Sequence, residues 1–362
     1  MSTEKPSCLL IGAGGVGVIT AYSLFHADRS NVSMVVRSDY SHIVQEGYKI
    51  DSCDYGVVEN WKPHQVFKNT VDAARSGSFF DYIVVTVKNI PDGPIQNRVH
   101  EVIRPVIESN HDVAPERRTS VLLIQNGIDI EKEILECFDK NKYHLCLLSG
   151  VQLIASTKLS PGYIHQKGLD HLIVGAFNPQ DALAVQSAKD FVAMYNNEGH
   201  NHVEFDPRVR YTRWKKLLYN AAINTTTALV GLDVPRCLQF SQNKKGTEEY
   251  IFRPAMREII AIAASEGITL ESELVDFFVT ITQNIVYKPS MCVDIEKGQL
   301  MELEIILGNP IRIAAQNEVP TPTLSMLYHL LTLLQGKVKE KKGLIHFDEK
   351  TARLVDQNNI PA

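Results

Sequence analysis

A glycine-rich turn lies between a short strand and a helix near the start of the chain. The turn reads Gly12-Ala13-Gly14-Gly15-Val16-Gly17. It follows an apolar run at residues 8–11 and opens a helical stretch at 16–25, and a β-branched run at 32–36 completes a βαβ unit. Glycines at this spacing allow close approach of the backbone to a pyrophosphate, and the N–H groups at the helix start attract the anion. The turn therefore predicts a dinucleotide site.

Further apolar runs extend this unit into a parallel sheet. Strands are expected at 82–87, 120–124, 145–154, 171–174 and 202–205, with a covering helix at 181–195. Continuous apolar runs of this length are typical of strands that are buried on both faces. We therefore expect an α/β, doubly wound (Rossmann-type) domain over residues 1–206.

The hydrophobic pattern changes to the helical period after Asp206-Pro207. Helical segments are expected at 208–229, 247–266, 271–287 and 297–316. An all-α domain is therefore predicted over residues 207–335, for binding substrate or for dimerisation. The basic run at 336–342 and the aperiodic end predict a loosely attached tail at 336–362.

Composition excludes several classes of function. The 362 residues carry a net charge of -5, which gives no basic field for nucleic acid and favours a small-molecule partner. The six cysteines form no Cys-x-x-Cys pair, so neither a metal site nor a disulfide framework is expected. No membrane anchor is predicted, because glycines interrupt the apolar stretch at 8–25. The expected location is the cytoplasm.

The end of the second strand indicates which dinucleotide is bound. An NAD site usually places an acid there for the ribose 2′-hydroxyl, and this chain has Arg37. An arginine favours a 2′-phosphate and hence NADPH. The alternative is that Arg37 is a solvated loop residue and that Asp39 supplies the acid.

A polar stripe marks the long helix predicted at 208–229. Lys216, Asn220 and Asn224 recur every four residues and therefore share one face of the helix. Asparagine is unfavourable inside a helix, so the stripe either is a solvated face or lines a ligand cleft. Apolar residues occupy most of the remaining circumference, and periodicity alone leaves both interpretations open.

Three more residues are candidates by position. Lys88 and Asn126 follow two predicted strands at their carboxyl ends, the edge where open α/β sheets bind ligands. Glu302 lies among apolar residues, where an unpaired carboxylate would be costly. The alternatives are a solvated loop for Lys88 and a surface helix position for Glu302.

These motifs, in this order, resemble those of the ketopantoate reductase family over residues 7–335. The resemblance depends on the glycine turn, on Val85-Thr86-Val87-Lys88, on Ile124-Gln125-Asn126-Gly127, and on Arg213-Trp214-Lys215-Lys216-Leu217 followed by Asn220 and Asn224. Ser290 and Met301-Glu302-Leu303-Glu304 match the family's last block in spacing. The resemblance implies NADPH-dependent reduction of 2-dehydropantoate to pantoate, on the way to coenzyme A, without a metal.

The resemblance also implies roles for individual residues. Lys216 would be the catalytic acid, and Glu302 would orient it. Arg37 would hold the 2′-phosphate. The remaining candidates would hold the substrate or border the nicotinamide: Lys88, Asn126, Asn220, Asn224 and Ser290.

The chain departs from the family pattern at Gln299, Met301 and Glu304. The exact ketone therefore stays open between 2-dehydropantoate and another 2-oxo acid or ketone. A protein that senses NADPH without catalysis is a further alternative, and a homodimer is possible.

Overall fold

The computed structural model describes residues 4–355. The chain divides into two compact units. The first contains residues 4–89, 96–125 and 130–210, and the second contains 90–95, 126–129 and 211–355. Among the described residues, no helix combines the length and the apolar character needed to cross a membrane.

A single sheet forms the centre of the first unit. Its strands are β1 (Ser7–Ile11), β2 (Asn31–Val35), β3 (Tyr48–Ser52), β4 (Gly56–Trp61), β5 (Gln65–Phe67), β6 (Tyr82–Val85), β7 (Thr119–Ile124), β8 (Leu145–Ser160), β9 (Tyr163–Ala176) and β10 (His202–Phe205). The spatial order is β4-β3-β9-β8-β7-β6-β1-β2-β5, and β10 pairs with β9. Within it, β8–β9 and β3–β4 pair antiparallel and the other pairs are parallel.

Helices accompany this sheet along the chain. They are α1 (Gly15–His26), α2 (Tyr40–Glu46), α3 (Thr70–Arg75), α4 (Val99–Val113), α5 (Lys132–Cys137) and α6 (Ala182–Tyr195), with a 3₁₀ turn at Ile95–Asn97. The strands β6 and β7 are buried along their whole length, as their apolar sequences require. Residues of α1 and α6 join the main apolar core beside β1. The predicted doubly wound fold is confirmed.

The sheet is larger than the sequence pattern predicted. The strands β8 and β9 form a long hairpin around Pro161-Gly162, and the outer half of β8 alternates between exposed and half-buried residues. Residues 155–160 are mostly polar, so the apolar pattern predicts this strand only as far as residue 154. The strands β3, β4 and β5 were not predicted, because they are short and partly exposed.

The second unit is helical. Its helices are α7 (Val209–Tyr219, which begins in the first unit), α8 (Thr225–Val230), α9 (Val234–Gln239), α10 (Arg253–Ser265), α11 (Leu274–Thr280), α12 (Ser290–Glu296), α13 (Asn309–Gln316) and α14 (Pro322–Lys341). A 3₁₀ turn lies at Gln242–Lys244, and π-helical turns lie at Asn220–Asn224, Glu248–Phe252 and Glu304–Gly308. A short hairpin of β11 (Phe347–Asp348) and β12 (Arg353–Leu354) follows α14.

Three predicted segments in this unit differ from the structure. The helix predicted at 271–287 is shorter, because α11 covers only Leu274–Thr280 and turns follow it. The helix predicted at 297–316 begins only at residue 303, because residues 297–302 are not helical, and Glu302 directly precedes this helix. The tail predicted from residue 336 begins inside α14, which continues to Lys341. Buried Gln335 and Val338 hold this part of α14 in the core. The basic run 336–342 indicates a loose tail by composition, but most of it belongs to this helix: Lys337 and Lys341 are exposed and Lys339 pairs with Asp92.

Candidate active site

The glycine turn is shaped by close packing at the end of β1. Gly12 has φ of +129°, and a Cβ on Gly12 or Gly17 would collide with the hydroxyl oxygen of Thr86. That hydroxyl lies 3.3 Å from the carbonyl oxygens of Ile11 and Gly12. A Cβ on Gly14, by contrast, would meet no described atom within 4 Å. Gly12 and Gly17 therefore serve packing, and Gly14 leaves one side of the turn open.

The start of α1 fits an anion. Its N-cap is Gly14, no side chain among the described residues caps it, and its first turn holds no acid. The N–H groups at the start of this 12-residue helix have no side-chain cap within the described part of the chain, and such groups favour a negative charge. This geometry suits the pyrophosphate of a dinucleotide.

The structure brings Arg37 and Lys88 to the same sheet edge as the glycine turn. The strands β2, β1 and β6 are parallel neighbours, with Val35, Ile11 and Val85 in register at their carboxyl ends. Arg37 follows β2 and is exposed, with Nη1 3.4 Å from Oδ1 of Asn97. Lys88 follows β6 and is half-buried.

Asp39 is occupied by other partners. It is 4% exposed, and Nζ of Lys158 lies 2.8 Å from one of its carboxylate oxygens. The Ser38 hydroxyl and the Gly162 N–H also donate to it. These contacts hold the pKa of Asp39 below its usual value despite the opposing effect of burial. The carboxylate serves the β8–β9 hairpin, which weakens the alternative that Asp39 binds a ribose.

In the second unit, Asn126 links Lys216 to Glu302. Nζ of Lys216 donates to Oδ1 of Asn126 over 3.0 Å, and Nδ2 of Asn126 donates to Oε2 of Glu302 over 2.8 Å. Glu302 is 7% exposed. It therefore does not occupy the surface helix position that was its alternative. An ammonium, an amide and a carboxylate thus form one hydrogen-bonded chain. The resemblance placed Asn126 beside the nicotinamide but did not reveal this link.

The turn that carries Asn126 is fixed by its neighbours. The Ile128 N–H donates to the carbonyl of Ile305 over 3.0 Å, and Nη1 of Arg213 donates to the carbonyl of Gly127 over 3.1 Å. Gly127 has φ of +87°, and a Cβ there would collide with the carbonyl of Ile305. Only glycine fits this position without strain. The π-helical turn Glu304–Gly308 therefore helps to place Asn126.

The environment of Lys216 makes it a weaker base than an ordinary lysine. Its pKa is lowered from 10.5 to about 8, mainly by burial and also by the positive charge of Arg213, while the negative charge of Glu302 acts in the opposite direction. Desolvation disfavours a charged ammonium, and a nearby carboxylate favours it. With a pKa of about 8, roughly nine in ten molecules carry the ammonium at pH 7.

Asn220 and Asn224, the remaining residues of the stripe, make further contacts. Nδ2 of Asn220 lies 3.5 Å from Oδ1 of Asn126. Nδ2 of Asn224 donates to the hydroxyl of Ser290 over 3.2 Å, and Oδ1 of Asn224 accepts from the Met291 N–H over 2.9 Å. Asn224 is 2% exposed, whereas Ser290 is exposed. Asn224 thus positions Ser290 at the start of α12.

A π-helical turn contains both asparagines. The long helix predicted at 208–229 is continuous through α7 and α8, but Asn220–Asn224 adopts the wider π form. Such turns are rare and are frequent at functional sites. Hydrophobic periodicity gave no sign of it, since one wide turn barely shifts the pattern.

Two of the three residues that depart from the family pattern, Met301 and Glu304, have clear structural roles. The Met301 side chain is fully buried. Glu304 accepts from Nη1 of Arg312 over 2.9 Å and from the hydroxyl of Tyr328 over 2.7 Å. Of the three, Gln299 alone is exposed.

The segment before Glu302 is held by α14. Oε1 of Gln335 accepts from the Met301 N–H over 2.9 Å, and its Nε2 donates to the Met301 carbonyl over 3.1 Å. The same Nε2 lies 3.2 Å from a carboxylate oxygen of Asp92, which also pairs with Lys339 at 2.7 Å. Sequence reasoning missed Gln335, because nothing in the helical pattern distinguishes it from a surface glutamine.

Comparisons with known proteins identify the relatives of this chain. A family model described as "Ketopantoate reductase PanE/ApbA" matches residues 8–179, and its C-terminal counterpart matches 208–335. A solved 2-dehydropantoate 2-reductase from Methylococcus capsulatus is 30% identical, with a TM-score of 0.75, and the match covers 92% of this chain and 97% of that one. The chain belongs to the ketopantoate reductase family. The predicted resemblance is confirmed.

Two further relatives extend this comparison. A Saccharomyces cerevisiae protein described as uncharacterized is 63% identical over 96% of this chain and 99% of its own length. A ketopantoate reductase from Staphylococcus aureus, described as dimeric, is 21% identical with a TM-score of 0.67 over 92% of this chain and 99% of that one. The latter likeness shows the shared fold.

Proposed function

We propose that this chain reduces 2-dehydropantoate to pantoate with NADPH, a step toward pantothenate and coenzyme A. The observation that carries the proposal is the hydrogen-bonded chain Lys216–Asn126–Glu302. Membership in the ketopantoate reductase family supports the reaction class.

Lys216 supplies the proton in the proposed reaction. When bound, NADPH would supply a hydride to the ketone carbon, so that negative charge would develop on the carbonyl oxygen. The Lys216 ammonium stabilises this charge and transfers a proton from Nζ to the oxygen, which completes the alcohol. A pKa of about 8 keeps the ammonium populated at neutral pH and makes it a better proton donor than an ordinary lysine.

Asn126 and Glu302 position and tune the proton donor. Oδ1 of Asn126 accepts one of the three N–H bonds of Lys216, which limits the directions left for a substrate oxygen. Glu302 fixes the Asn126 amide through Nδ2. Its negative charge also raises the pKa of Lys216 against the effects of burial and Arg213. Loss of Glu302 would therefore affect both geometry and protonation.

Asn220 and Ser290 are proposed to hold the polar groups of the substrate. Asn220 lies beside Asn126, and the exposed Ser290 hydroxyl is available for a carboxylate or hydroxyl. Buried Asn224 contributes by orienting Ser290. Amide and hydroxyl groups such as these can donate hydrogen bonds to either a carboxylate or a hydroxyl oxygen.

The cofactor is proposed to be NADPH. The open start of α1 suits the pyrophosphate, and the exposed Arg37 suits a 2′-phosphate. The pairing of Asp39 with Lys158 supports this choice over NADH. Lys88, at the same sheet edge, is proposed to border the nicotinamide.

A ketone panel tests the substrate. The purified chain is given NADPH with 2-dehydropantoate, with 2-oxo acids that lack its hydroxyl or its branched methyl groups, and with neutral ketones. We expect the highest kcat/KM for 2-dehydropantoate. A higher value for another 2-oxo acid would favour the alternative suggested by exposed Gln299. Tight NADPH binding without oxidation by any ketone would favour a sensor.

A homodimer is also proposed, and its support is the dimeric description of the Staphylococcus aureus family member. Light scattering after size exclusion measures the molar mass directly. A monomer mass at micromolar concentration would contradict this part of the proposal.

A further inference from the structure

Three side chains of metal-binding type converge where β10 joins the sheet. His171 lies on β9, and His202 and Glu204 lie on β10. The parallel register places His202 directly opposite His171. One donor atom from each of the three residues lies within 4.8 Å of the others.

All three side chains are on the same face of the sheet. Successive residues of a strand point to opposite faces, and Val203 and Phe205 pack against the main apolar core. His202 and Glu204 therefore face away from that core. His202 and Glu204 are exposed and His171 is half-buried, so an ion can reach them from solvent.

The distances suit a small divalent cation. Nε2 of His171 lies 3.1 Å from Oε1 of Glu204, and the rings of His171 and His202 are 4.4 Å apart between centroids. Metal–ligand distances of about 2.0–2.2 Å place the donors of a tetrahedral zinc site roughly 3.4 Å apart. Small rotations of the exposed His202 and Glu204 side chains would bring the donor atoms, which now lie within 4.8 Å of one another, to this separation.

We propose that His171, His202 and Glu204 bind one divalent transition-metal ion, with zinc as the natural probe. Two imidazole nitrogens and one carboxylate oxygen suit zinc and its neighbours better than magnesium or calcium. Water would complete the coordination. The ion would tie the last strand of the sheet, β10, to β9. This site is independent of the proposed reductase activity, and sequence spacing did not reveal it because strand pairing brings residue 171 next to 202.

Zinc titration of the full chain tests the site. The exposed thiols of Cys53 and Cys137 would also bind zinc, so the measurements use a Cys53→Ser/Cys137→Ser background. Calorimetry gives the stoichiometry and Kd, and the visible spectrum of bound Co²⁺ reports four-coordinate geometry. The test variants are His202→Ala and Glu204→Gln, and His329→Ala removes another exposed histidine as the matched control.

We expect a site with one equivalent of zinc in the background protein and in His329→Ala. Its Kd should rise at least about tenfold in His202→Ala and in Glu204→Gln, since even outer partners of a metal site change affinity by 10–100-fold. Zinc should also raise the Tm of the background protein and not that of His202→Ala. Equal zinc affinity and equal Tm shifts in both proteins would show that His171 and Glu204 form only a surface ion pair, and would overturn the proposal.

Discussion

Lys216 donates a hydrogen bond to Oδ1 of Asn126 over 3.0 Å, although 90 positions separate the two residues. Nδ2 of Asn126 in turn donates a hydrogen bond to Oε2 of Glu302. The Asn126 amide stays neutral near pH 7. The protonation of Lys216 therefore depends on its burial and on the charges of Arg213 and Glu302. The pKa of Lys216, lowered to about 8, is therefore the property of the site that is most accessible to experiment.

The pH profile of 2-dehydropantoate reduction should show an alkaline limb. Because the ammonium form of Lys216 is the proposed acid, activity should be full below the pKa of about 8 and fall about tenfold per pH unit above it. Steady-state kcat/KM between pH 6 and 10 measures this. A flat profile through pH 10 would contradict the assignment.

Two substitutions should move that limb in opposite directions. Glu302→Gln removes a negative charge that raises the pKa of Lys216, so the limb should shift to lower pH. Arg213→Gln removes a positive charge that lowers the pKa, so the limb should shift to higher pH. Opposite shifts separate an electrostatic effect from general damage. Shifts in one direction for both variants would contradict the account.

Part of this site was predictable from the sequence, because it depends on residues that are close together along the chain. The spacing of Lys216, Asn220 and Asn224 on one helix indicated a shared face, and the helix is there. The bridge by Asn126 depends on long-range packing of the 126–129 turn against residues 304–308. The pairing of Asp39 with Lys158 joins residues 119 positions apart. Periodicity carries no information about either contact.

Arg37 should set the preference for NADPH. Arg37→Ala removes the proposed partner of the 2′-phosphate, and for an exposed arginine we expect about a tenfold rise in the Kd of NADPH, with little change for NADH. Fluorescence titration with both nucleotides measures this. Arg75→Ala, at another exposed arginine, serves as control. An equal change for NADPH and NADH would count against a 2′-phosphate contact.

Gln335 should support the segment that precedes Glu302. Its 1% exposed side chain satisfies both backbone groups of Met301, so Gln335→Ala should lower the free energy of unfolding by about 1–3 kcal/mol. Urea denaturation checks this. Lys339→Ala removes the ion pair with Asp92 and should lower stability less than Gln335→Ala does, because both backbone groups of Met301 keep their partner. A stability loss in Lys339→Ala as large as in Gln335→Ala would show that the ion pair, and not the amide, supports the segment.

The central claim is that Lys216 donates the proton in an NADPH-dependent reduction. The most direct test is the kcat for 2-dehydropantoate of Lys216→Ala beside Lys215→Ala, with the Kd for NADPH measured on both proteins. We expect Lys216→Ala to lose roughly 10²–10⁴-fold in kcat with nearly unchanged NADPH affinity, and Lys215→Ala to keep near wild-type turnover. Equal turnover in the wild-type protein and in Lys216→Ala would contradict the mechanism.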